Sequence, residues 1–146
     1  MTSIEMTHIE SPAKKRIAMV AHDNMKGEML GWAKEHEEAL KQHVLIATGS
    51  TGKLIADNTG LTLERMRSGP LGGDQQIGAK ISDGGVDILL FFWDPLEPQP
   101  HDPDIRALLR IAVVWNIPVA CNRASADFIL SSPLIQTSYK RRVPKY

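Results

Sequence analysis

At 146 residues and 16.2 kDa, the chain has the size of one ordinary domain, which excludes two independent cores with a cleft between them. Its 42% hydrophobic and 23% charged content is that of a chain able to bury a core, so disordered and fibrous classes fall away. Lys plus Arg and Asp plus Glu number 17 each, a balance that argues against nucleic acid or an acidic membrane as main partner.

Residues 1–15 read as a polar leader preceding a single domain over 16–146. Glu5 and Glu10 stand where a signal peptide would be apolar, and no later run approaches a membrane span, so a cytoplasmic protein is expected. Four short apolar runs follow, at 16–21, 44–48, 86–93 and 117–121, rich in Val, Ile and Leu without polar alternation. They predict strands buried on both faces, the signature of a parallel sheet. A brief fifth strand is expected at 63–66. Apolar residues at helical spacing predict long helices over 24–42 and 104–115, and shorter ones over 51–58, 74–82 and 124–131. The resulting alternation implies a single-domain three-layer α/β/α sandwich, Rossmann-like, with a mostly parallel five-stranded sheet. The lone Cys121, in an apolar run, reads as structural. Trp32, Trp93 and Trp115 read as core aromatics, and His8, His36 and His43 as exposed. No acidic residue follows Asp127, whereas Lys140, Arg141, Arg142 and Lys145 do, so a cationic tail sits on an acidic body. That tail lacks the interleaved aromatics of a nucleic-acid platform.

Ligands of open parallel sheets bind beyond the carboxyl ends of the strands, and polar residues and glycines collect there. Thr48-Gly49-Ser50-Thr51-Gly52 has the make-up of a phosphate cradle, with glycines for close approach, hydroxyl donors and the positive end of the next helix. An ordinary strand-to-helix turn fits equally well. It is not a nucleotide P-loop, since Ala47 and Leu54 stand where that motif needs Gly and Ser or Thr. Lys26, one turn after His22, offers a counter-charge. Ser68-Gly69-Pro70-Leu71-Gly72-Gly73-Asp74 must turn sharply and ends on a carboxylate. Asp74 has two readings, helix N-cap and general base, and they pull against each other because a cap lowers the pKa that a base needs raised. In His101-Asp102-Pro103-Asp104, capping by Asp102 accounts for the acids but not for His101. A ring just before a helix N-terminus is kept from becoming imidazolium and can donate to a developing oxyanion. His22, Asp23, His101, Asp102 and Asp104 lack any compact metal-ligand spacing, so no metal is expected.

Taken together, Val20-Ala21-His22-Asp23, the 47–52 and 68–76 strings, Phe91-Phe92-Trp93-Asp94-Pro95, His101-Asp102-Pro103-Asp104 and Trp115-Asn116-Ile117-Pro118-Val119-Ala120 resemble the methylglyoxal synthase family over about residues 16–133. The resemblance implies a homohexameric carbon–oxygen lyase without cofactor that converts dihydroxyacetone phosphate to methylglyoxal and inorganic phosphate. It makes Asp74 the base, with His101 and Asp104 catalytic, and His22, Lys26, Thr48, Gly49, Ser50, Thr51, Ser68 and Gly69 on the substrate or its phosphate. Phosphate is then product and candidate inhibitor. A non-catalytic module binding phosphorylated ligands is the alternative in the same fold; it would need the cradle but not Asp74 with His101. At the cationic tail the resemblance fails. Members often carry a further segment whose arginine reaches a neighbouring subunit, a contact for which Arg141 or Arg142 is a substitute and a short exposed strand the plainer reading.

Overall fold

The structure, a computed structural model, describes residues 4–145. Arg16–Ala21 (β2), Val44–Ala47 (β3), Leu63–Arg65 (β4), Ile88–Phe92 (β5) and Val119–Ala120 (β6) form a parallel sheet in the order β4-β3-β2-β5-β6. These are the five predicted strands, β2 with its predicted bounds and the other four trimmed at their ends. The central strands are buried throughout because both faces are covered. Ile17, Met19 and Ala21 of β2 face one layer, with Trp32 of Lys26–Glu35 (α1), Ile55 of Gly49–Asn58 (α3) and Ala126 of Arg123–Ser131 (α6). Ala18 and Val20 face the other, with Ile77 and Ile81 of Gly73–Ser82 (α4) and Ile105, Leu108 and Ala112 of Asp102–Val114 (α5). This alternation of Cβ direction along a strand makes a three-layer sandwich.

Three expectations about the fold need correction. The single helix over 24–42 is broken: a 3-10 turn at Asp23–Met25 precedes α1, and His36, at φ −111° and ψ 20°, separates α1 from a short Glu37–Leu40 helix (α2). Trp93 is 40% exposed because β5 ends at Phe92 and the chain turns away from the core. His43 is buried, its Nδ1 accepting the Lys15 N–H at 2.9 Å. The tail forms the short, largely exposed strand that was its plainer reading, Tyr139–Pro144 (β7), and it pairs antiparallel with Met6–Ser11 (β1) of the leader, Thr7 opposite Val143 and Ser11 opposite Tyr139. Val143 inserts into the α4/α5 layer, while Arg141 is 1% exposed and Arg142 stays outside. Met1–Ser3 of the expected leader and Tyr146 of the tail lie outside the described residues. Among the described residues, no helix is long and apolar enough to cross a membrane.

Candidate active site

The chain runs β2-β3-β4 toward one side of the sheet and β5-β6 toward the other, so β2 and β5 flank a switch point at their carboxyl ends. A cavity of about 330 Å³ opens there, and eight of the predicted site residues line it: His22, Lys26, Thr48, Ser50, Ser68, Gly69, Asp74 and His101. Three do not. Gly49 backs onto the Met66–Ser68 chain, where a Cβ would lie 3.0 Å from the Met66 carbonyl oxygen, so glycine is what lets these two loops close up. The Thr51 hydroxyl points at the Ala21 carbonyl at 3.5 Å, and Asp104 accepts a 3.3 Å bond from Gln75 Nε2 in a neighbouring depression.

Asp74 is held in the first turn of α4. The N-cap expected of it is instead Gly72, whose φ of 102° takes the left-handed conformation that ends the 3-10 turn Gly69–Leu71 and starts the helix. The next residue has no room for a side chain: a Cβ on Gly73 would lie 1.9 Å from the Arg67 carbonyl oxygen. Relieved of capping, the Asp74 carboxylate is 2% exposed and neither oxygen has a hydrogen-bond partner. Burial pushes its pKa up; His101 works against that shift and Asp104 adds to it. His101, itself the residue at the N-cap of α5 in place of the expected Asp102, points Nε2 at Asp74 Oδ2 across 3.6 Å, beyond hydrogen-bond range. Gly69 leaves the space above them open, since a Cβ there would stand 3.3 Å from both Asp74 Oδ1 and His101 Nε2.

On the other wall, His22 has a fixed tautomer. Its Nδ1 accepts the Asp94 backbone N–H at 3.1 Å, so Nδ1 carries no proton and the neutral ring bears its hydrogen on Nε2. That Nε2 is buried and unpartnered. Burial, and then His101, lower the His22 pKa, outweighing Asp94 and Asp102. Asp94 is itself anchored, its Oδ2 accepting from Asn24 Nδ2 at 2.9 Å and its Oδ1 from the Leu96 N–H at 3.1 Å. Lys26 Nζ pairs with Asp23 at the mouth. Sequence reasoning missed this Asn24–Asp94–His22 chain and Gln99, which also lines the cavity. The position of Asp94, just past β5 at the switch point, was the available signal. Among the described residues, no group of three or more His, Cys, Asp or Glu side chains is placed to hold a metal ion.

A sheet with a buried unpaired carboxylate, two histidines and a glycine-lined hydroxyl turn at its switch point places the chain in a definite class: residues 28–121 match the MGS-like domain. The chain is 63% identical over 135 residues to methylglyoxal synthase of Saccharophagus degradans, covering 92% of this chain and 88% of that protein. It is 60% identical over 132 residues to methylglyoxal synthase of Coxiella burnetii, covering 90% of this chain and 92% of that one. The crystal structure of methylglyoxal synthase from Elizabethkingia anophelis superposes with a TM-score of 0.91 at 51% identity, over 96% of this chain and 92% of that one. The chain belongs to the methylglyoxal synthase family.

Proposed function

We propose that the protein converts dihydroxyacetone phosphate to methylglyoxal and inorganic phosphate, with Asp74 as the base. The observation that carries the assignment is the Asp74 carboxylate, buried, unpartnered and facing His101 beneath the open face of Gly69. A desolvated carboxylate with a raised pKa is a stronger base than a solvated one and suits abstraction of a proton from carbon. Asp74 takes a proton from the hydroxymethyl carbon, and the electron pair moves onto the ketone oxygen to give an enediolate. His22 Nε2–H is one donor for its oxygens, and we assign the ring proton of His101 to Nε2, the nitrogen that faces Asp74, as the second. A proton passes from the hydroxyl to the former ketone oxygen; the hydroxyl oxygen's electron pair then forms the aldehyde C=O, the double bond shifts toward the phosphate-bearing carbon and the C–O bond to phosphate breaks, giving the enol of methylglyoxal and inorganic phosphate, which takes the proton held by Asp74. Elimination requires that C–O bond perpendicular to the enediolate plane. Lys26, Thr48, Ser50 and Ser68, which line the same cavity, would hold the phosphate in that position.

Product phosphate would compete for the same donors, making it a product inhibitor. The assembly we propose is the homohexamer of the family resemblance, testable by light scattering. The activity is tested by incubating pure protein with dihydroxyacetone phosphate and EDTA. Methylglyoxal and phosphate should appear in equal amounts. Binding without turnover would favour a regulatory module, and turnover abolished by EDTA a metal enzyme.

A further inference from the structure

At the opposite edge of the sheet, by the amino ends of β2, β5 and β6, lies a second cavity of about 300 Å³. Its floor is aliphatic, with Ile88, Ile117 and Ile135 among its walls, yet two cations are buried in the same wall: Lys15 at 4% exposure and Arg141 at 1%. The one carboxylate there, Asp87, is already neutralised, accepting from Arg16 Nε and Nη2 at 2.9 Å each and from the Arg16 N–H at 2.8 Å. Lys15 Nζ donates to the carbonyls of Pro12 and Thr137, leaving one of its three protons uncommitted. Arg141 donates through Nε to Ser11 Oγ at 2.9 Å and through Nη1 to the Trp115 carbonyl, while its Nη2 is buried with no partner. Burial lowers the pKa of both cations. A buried guanidinium with an unmet donor is costly to keep, because nothing replaces the water it has lost.

We propose that this cavity is a binding site for a small organic carboxylate, its anionic end meeting Arg141 and Lys15 and its apolar body lying on the isoleucines. A planar carboxylate matches the guanidinium face and supplies the missing acceptor. A volume near 300 Å³ at the low end of ligand pockets suits a body of only several carbons. The site lies apart from Asp74 and His101, so it is independent of the reaction proposed above.

Hexanoate is the probe, with hexanol as its uncharged match, and binding is read by titration calorimetry. Hexanoate should bind saturably and at least about tenfold more tightly than hexanol, and Arg141→Met should weaken it by about tenfold or more while hexanol binding stays unchanged. In wild-type protein, amide shifts caused by hexanoate should centre on Asn116 and Ile117. Equal binding of hexanoate and hexanol, no loss in Arg141→Met, or shifts centred on Ser68 and Gly69 would each overturn the assignment. Should Arg141→Met fail to fold, the alcohol comparison and the shift map decide the question on the wild-type chain alone.

Discussion

Asp74 holds its charge under conditions that favour losing it, and this has opposite consequences for activity and stability. Its pKa is raised mainly by burial. The base form is the ionised one, so kcat/KM should rise with pH through an inflection above the ordinary carboxylate range near 4. For stability the sign reverses: a carboxyl whose folded pKa is raised contributes most below its unfolded pKa, and that contribution is lost as pH climbs through the folded value. Asp74→Asn should therefore raise the Tm at neutral pH while abolishing turnover, checked by calorimetry beside the assay. Gly69→Ala is the steric counterpart. A methyl 3.3 Å from both Asp74 and His101 occupies space the substrate needs, so kcat/KM should fall about tenfold or more, near 1.4 kcal/mol, with the fold intact by circular dichroism. His22 depends on a residue two positions away in sequence. Asn24→Ala removes one anchor of Asp94, so the His22 Nδ1 contact loosens and kcat should fall, with the fold intact by circular dichroism.

At the scale of elements, the inner strands were legible because they are buried on both faces and read as unbroken apolar runs, as in Ile88–Phe92, whereas the edge strand Leu63–Arg65 is half-buried to exposed and carries no such run. The loops after them were legible as a polar and glycine-rich edge. Their contents were legible only in part. Asp74 looks like a cap because Asp is common at that place, but Gly72 accepts the left-handed φ and takes the position, leaving the carboxylate free. No local pattern reveals the His22–Asp94 bond, which joins residues 72 apart through the pairing of β2 with β5. β1, and its pairing with the tail strand β7, escaped for a related reason. Both strands are largely exposed and polar, so neither carries an apolar run, and their pairing joins opposite ends of the chain.

Across the whole molecule, the sheet carries a cavity at each end of its strands, one holding the buried Asp74 carboxylate at the carboxyl end and one holding the buried cations Lys15 and Arg141 at the amino end. The charge balance of the sequence turns out to be spatial: Arg141 of the cationic tail is folded inside its own subunit, bonded to Ser11, rather than offered to a neighbour. The β1/β7 ribbon is fastened by Val143, buried among the α4/α5 residues. Val143→Ala should cost about 1–2 kcal/mol in urea unfolding while leaving KM unchanged, since the residue stands away from the Asp74 cavity. The central claim remains that Asp74 is the base of a phosphate elimination. The most direct test is the rate of methylglyoxal formation from dihydroxyacetone phosphate by Asp74→Asn, in protein shown by circular dichroism to be folded. A fall of about 10²–10⁴-fold or more is predicted; a rate near that of the wild type would contradict it.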